Sequence, residues 1–116
     1  MEKKNIDWSS LGFGYVQTEQ RYVSNYTNGA WDDGCLTSDA NITMNECACV
    51  LQYAQTCFEG MKAYTTEDGR IVCFRPDLNA KRMVESAERL KMPAFPEDRF
   101  LDAIRQVVKA NAAWVP

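Results

Sequence analysis

Two hairpin signals and two proline-led amphipathic stretches predict an α+β domain, with helices packed on one face of an antiparallel sheet. The turns fall at Asn28-Gly29 and Glu67-Asp68-Gly69, and the apolar-periodic stretches begin at Pro76 and Pro96. Residues 19–26, with Tyr22, Val23 and Tyr26, are rich in strand-favouring side chains. They run into Asn28-Gly29, the strongest two-residue hairpin signal in the chain, so a strand returns through Ala30 and Trp31. Asp32-Asp33-Gly34 makes a further turn and 36–42 is polar and extended. Asn45 can cap a short helix over 46–53, buried on its Cys49, Val50 and Tyr53 side.

Residues 58–66 read as a strand that returns, after Glu67-Asp68-Gly69, through 70–74 with Ile71, Val72 and Cys73. Pro76 suits a first helical turn, and Asp77 puts negative charge near the positive end of the helix dipole, so a helix runs from here to about Lys91. Ala80, Met83, Val84, Ala87 and Leu90 share one face of it, opposite Lys81, Arg82, Glu85, Glu88 and Arg89. Pro93 and Pro96 interrupt the pattern. A second helix after Pro96 sets Phe100, Leu101, Ile104, Val107, Val108 and Asn111 on one side.

At 116 residues, 46% hydrophobic and 25% charged, the chain fits one globular domain over 1–116 without a linker or repeat. Thirteen Lys and Arg against sixteen Asp and Glu give a net charge of −3 with no basic stripe, which argues against nucleic acid and anionic membrane as partners. No stretch approaches the roughly 20 apolar residues that cross a bilayer, and Met1-Glu2-Lys3-Lys4 does not lead into an apolar signal core, so a cytoplasmic protein is expected. Cys35, Cys47, Cys49, Cys57 and Cys73 form no paired framework and fit reduced thiols. Cys47-Ala48-Cys49 offers two metal ligands at most and the chain has no histidine, so no metal site is expected. The same absence leaves Ser-His-Asp and Cys-His catalysis out of reach of these residues.

Three places could carry chemistry. Arg82 offers a planar, permanently charged fork that matches two phosphate oxygens, or it is a surface residue paired along its helix with Glu85. In Phe58-Glu59-Gly60, period-two alternation puts Phe58 and Gly60 on one strand face; an aromatic wall beside a gap suits a small branched side chain, but on the residues alone a core phenylalanine next to a bulge glycine is the more common reading. Lys62 shares the face of Gly60.

The run Leu51-Gln52-Tyr53-Ala54-Gln55-Thr56-Cys57-Phe58-Glu59-Gly60-Met61-Lys62-Ala63-Tyr64, followed by Phe74-Arg75-Pro76-Asp77-Leu78-Asn79-Ala80-Lys81-Arg82-Met83, resembles the N-terminal domain of branched-chain amino acid aminotransferases. These are pyridoxal phosphate enzymes of fold type IV. The resemblance extends from about Phe13-Gly14 to Trp114-Val115-Pro116, nearly all of this chain but only the opening of the family's much longer sequence. It implies the small domain of such an enzyme, with Arg82 holding the cofactor phosphate and Arg75 and Arg89 structural. It further implies that Phe58 lines the substrate pocket with Gly60 against it, that Tyr53 reaches a pocket across the interface of a homodimer, and that Phe13 contributes from the N-terminal side.

The implied reaction moves the amino group of leucine, isoleucine or valine to 2-oxoglutarate. The family's covalent lysine lies in a second domain, so Lys62 is read as a solvated edge residue, no catalytic residue is assigned here, and the chain alone is expected to be inactive. Ending at Pro116 is also expected to remove sheet strands, leaving an open edge and uncovered apolar surface. Ala54 stands where many members carry Gly or Ser, a departure that puts little in doubt because alanine is nearly as small. The alternatives are a D-amino acid aminotransferase or aminodeoxychorismate lyase of the same fold, or a noncatalytic interaction fragment.

Overall fold

Tyr26 and Trp31 pair across Asn28-Gly29 as expected, and beyond a bend the same hairpin continues with Tyr22 opposite Leu36, a pairing the sequence did not indicate. The computed structural model describes residues 1–116. Strands β1 (Arg21–Val23), β2 (Tyr26–Thr27), β3 (Ala30–Trp31) and β4 (Cys35–Thr37) form two antiparallel ladders, β1 with β4 and β2 with β3. Asn28 (φ 53°) and Gly29 (φ 84°) both take the positive φ that a two-residue hairpin turn demands. The bend between the ladders is tied by the Asp32 carboxylate, which accepts hydrogen bonds from Asn25 N (3.0 Å), Ser24 Oγ (2.9 Å) and Gly34 N (3.0 Å). Gly34 is required there twice over: its φ is +71°, and a Cβ would lie 2.0 Å from the Tyr22 hydroxyl.

The second hairpin joins β5 (Ala63–Thr65) to β6 (Ile71–Cys73), with Tyr64 opposite Val72. It is shorter than the sequence predicts, and residues 58–62 are irregular. A strand needs a partner along its length. Here the returning chain leaves the ladder at Phe74, swings through left-handed Arg75 (φ 47°) and enters a helix, so nothing runs opposite 58–62. The predicted single sheet is accordingly three two-stranded ladders.

The expected helix over 46–53 is one turn, α1 (Cys49–Gln52). Asn45 accepts from Cys47 N at 2.8 Å, closing a turn ahead of the helix instead of capping it. Its Cys49, Val50 and Tyr53 side is exposed, contrary to expectation, because no other element packs extensively on it.

Helices α2 (Pro76–Arg89) and α3 (Glu97–Ala110) start at the two prolines as predicted and pack on each other. Ala80 and Ala87 on the predicted inner face of α2 are buried, and Lys91 (φ 59°) ends the helix with Met92 N donating to Ala87 O. Asn111, at the end of α3, exchanges hydrogen bonds with the backbone of Gln20 (2.9 and 2.7 Å) and so substitutes for a strand neighbour. Trp31 braces the first hairpin against the α2–α3 connection, edge-on to Phe95 and donating to Ala94 O at 3.0 Å.

No large side chain is fully buried. The accessible surface is 9003 Å², where a globular chain of this mass shows about 6400 Å². The radius of gyration is 15.8 Å against about 13 Å for a domain of this length. Gaps of about 660 and 670 Å³ flank the apolar face of α3, the first against Tyr22, Trp31 and Met61, the second against Ile71 and Pro76. No helix is long and apolar enough to cross a membrane.

Candidate functional site

The proline start of α2 sets the phase of everything that follows on that helix. With Arg75 left-handed and its guanidinium bonded to Asp77 (3.0 and 2.7 Å), Asn79 and Arg82 fall three residues apart on one side, facing the irregular segment 58–60. Arg75 thus stabilises the helix entry, and its charge is spent there.

Asn79 is buried, and its Nδ2 donates both to Glu59 Oε1 (2.7 Å) and to the Gly60 carbonyl (3.0 Å). Arg82 donates through Nε to Glu59 Oε2 (2.9 Å) and Oε1 (3.1 Å), and through Nη2 to Oε1. It pairs with Glu59, not with Glu85. The Glu59 side chain is 5% exposed and that of Arg82 is 61% exposed, so the pair is sealed on one side and open on the other.

Hydrogen bonds from Arg82 hold the Glu59 carboxyl below its usual range against the opposing effect of burial, with a smaller contribution from Asn79. The same contacts raise Arg82, which stays charged at any working pH. A guanidinium has five N–H donors, and Glu59 engages only the Nε/Nη2 edge. The opposite end, with Nη1 free of any hydrogen bond in the chain, presents a second fork to solvent. That arrangement fits an oxyanion with two acceptor oxygens, such as a phosphate group.

Of the other predicted residues, Phe58 and Gly60 sit on either side of Glu59, with a Gly60 Cβ position 3.5 Å from the Phe58 ring. The contact is local to a loop and not the shared face of a strand. Phe58 is 90% exposed. Tyr53 is 80% exposed and lines a separate recess of about 310 Å³ with Cys49, Gln55 and Leu90, while Phe13 stands fully in solvent. Lys62 is exposed beside the gap bounded by Met61 and Met83. The structure therefore joins Phe58 and Gly60 to Arg82 through Glu59, and leaves Tyr53 and Phe13 apart from them.

Neither of the large gaps is lined by Arg82, Phe58 or Gly60. They lie between the apolar side of α3 and the ladders, where core side chains belong, and most of the residues that line them are hydrophobic. No cluster of three or more His, Cys, Asp or Glu side chains could hold a metal ion. Cys57 instead packs its sulfur 3.2 Å from that of Met83.

Glu59 and Asn79 were not singled out by sequence reasoning. The available signal was a carboxylate set between an aromatic residue and a glycine in an apolar segment, where it must find a cation or be neutralised. Ala54 also needs correction. Its φ is +50°, so the cost of carrying alanine there is one of backbone conformation and not of size.

No family model matches the chain. It is 46% identical to a branched-chain-amino-acid aminotransferase of Haemophilus influenzae over 112 residues, 97% of this chain and 33% of that protein. It is 42% identical to a branched-chain-amino-acid transaminase of Bacillus subtilis over 115 residues, 98% of this chain and 32% of that protein. A methionine aminotransferase of Arabidopsis thaliana is 45% identical over 113 residues, 97% of this chain and 32% of that protein. The chain spans about a third of the length of these relatives, their N-terminal third.

Proposed function

Because the chain is, along nearly its whole length, a homologue of the N-terminal third of branched-chain-amino-acid aminotransferases, we propose that it is the opening part of the small domain of such an enzyme. The complete enzyme moves the amino group of a branched aliphatic amino acid to 2-oxoglutarate, works in the cytoplasm as a homodimer and uses pyridoxal phosphate. That cofactor, when bound, supplies an aldehyde that takes up the substrate nitrogen and an electron-poor ring that accepts charge from the α-carbon.

The observation that carries this reading is the open fork of Arg82, held on its other edge by Glu59 and located in the Phe-Arg-Pro…Arg pattern of the family. Arg82 would hold the phosphate through its open fork. Phe58 and Gly60, one residue either side of the buried carboxylate, form the wall against which an apolar side chain rests. Tyr53 and Phe13 project from the same chain into surface that a second subunit would cover, which accounts for large aromatic side chains left in solvent. The covalent lysine belongs to the remainder of the enzyme; Lys62, exposed on an edge, serves solubility.

The relatives include a methionine aminotransferase as well as branched-chain enzymes, so methionine is a second amino donor to test beside leucine. The D-amino acid and aminodeoxychorismate alternatives have no support among these relatives. The decisive experiment is glutamate formation from 2-oxoglutarate with leucine as donor by the complete enzyme. Turnover that requires added pyridoxal phosphate is expected, and absence of amino transfer would overturn the reading.

A further inference from the structure

We infer that Glu59 is a positioning residue for the phosphate anchor: with Asn79 it grips one edge of the Arg82 guanidinium so that the other fork points in a single direction. The inference rests on the assignment of Arg82 to the cofactor phosphate. A carboxylate next to an anion site would ordinarily weaken it, since like charges repel. Three features of this one turn that to advantage.

Glu59 occupies only the Nε/Nη2 edge, so it takes none of the donors at the Nη1 end. Its side chain is 5% exposed while Arg82 is 61% exposed, so the carboxylate lies behind the guanidinium, with the cation between it and any incoming phosphate. It is also immobilised from a second direction, because Asn79 Nδ2 donates to Oε1 at 2.7 Å and to the Gly60 carbonyl at 3.0 Å. An exposed arginine otherwise samples many rotamers, and the freedom lost on capturing a ligand opposes binding. Here that freedom is removed in advance.

The same contacts have a second consequence. The Gly60 carbonyl and the Glu59 side chain are both bonded to α2, so the segment bearing Phe58 and Gly60 is fixed to the helix bearing Arg82. The phosphate anchor and the apolar wall move as one body.

The test compares pyridoxal phosphate with pyridoxal, which has the same ring and aldehyde but no phosphate, by equilibrium dialysis against the complete enzyme and its Glu59→Gln and Glu59→Asp variants. Glutamine keeps the shape but loses the charge, and aspartate keeps the charge but is one methylene too short to span the pair. Both variants should bind pyridoxal phosphate on the order of tenfold more weakly, the loss of about one charge-assisted hydrogen bond, with pyridoxal unaffected. Unchanged affinity for pyridoxal phosphate in both variants, or equal losses for the two aldehydes, would show that Glu59 serves only folding and would overturn the inference. An Arg82→Ala arm separates the two levels. If it keeps the preference for the phosphorylated aldehyde, the anchor assignment itself is wrong; if it loses the preference while the Glu59 variants keep theirs, only the positioning role falls.

Discussion

Replacing Gly34 by alanine tests whether the bend between the two hairpin ladders is as tightly built as its geometry implies. A residue with a Cβ at φ +71° gives up about 1 kcal/mol relative to glycine. That Cβ would fall 2.0 Å from the Tyr22 hydroxyl and 2.5 Å from its ring carbon, so Tyr22 must swing away and abandon its 3.1 Å hydrogen bond to the Asp33 carbonyl. The lost bond costs about 1 kcal/mol. Repacking the ring costs about 1 to 3 kcal/mol more, for a total near 3 to 5 kcal/mol. Gly29→Ala is the control, with φ +84° but nothing within 4 Å of the new atom, so it should lose only about 1 kcal/mol. Urea unfolding followed by tryptophan fluorescence measures both. Equal losses in the two variants would refute the close approach of Tyr22.

Three further outcomes are expected. Ala54→Gly should stabilise the chain by about 0.5 to 1 kcal/mol in the same assay, since position 54 is left-handed, and a loss of stability would mean that this backbone assignment is wrong. Glu59, whose carboxyl lies below its ordinary value of 4.5, binds protons less readily when folded than when unfolded, so its contribution to stability is present above that value and lost as pH falls through the folded one. Melting temperatures taken from pH 7 to pH 3 should therefore fall less steeply in Glu59→Gln than in the parent, and parallel curves would contradict it. In the complete enzyme, Phe58→Ala should reduce discrimination between leucine and alanine, measured as a ratio of kcat/KM, by about 1 to 3 kcal/mol; an unchanged ratio would make Phe58 a packing residue.

Local chemistry was legible in the sequence, and pairing at a distance was not. Asn28-Gly29, Pro76 and Pro96 each impose a backbone geometry on their own neighbours, and the structure turns or starts a helix at all three. The apolar faces of α2 and α3 followed from spacing alone. The strand expected over 58–66 failed at its first half because a strand requires a partner, and whether 74–75 continues opposite it is decided by the left-handed turn at Arg75. The helix expected over 46–53 lost its cap, because Asn45 closes a turn ahead of it, and the four residues that remain are too few to hold a helix without extensive packing. At the candidate site, the motif singled out Arg82. Its partner was not legible, because Glu59 lies 23 residues away and only the fold brings the two together.

Cofactor retention in Arg82→Ala against Arg89→Ala, measured by equilibrium dialysis of the complete enzyme with pyridoxal phosphate, tests the central claim most directly. Both substitutions remove one positive charge from the exposed side of α2, but only Arg82→Ala also unpairs Glu59, so pyridoxal, which lacks the phosphate, is the control ligand for that added loss. If Arg82 holds the phosphate, Arg82→Ala loses the cofactor at concentrations where Arg89→Ala and the parent retain it. Equal retention by the two variants would contradict the account.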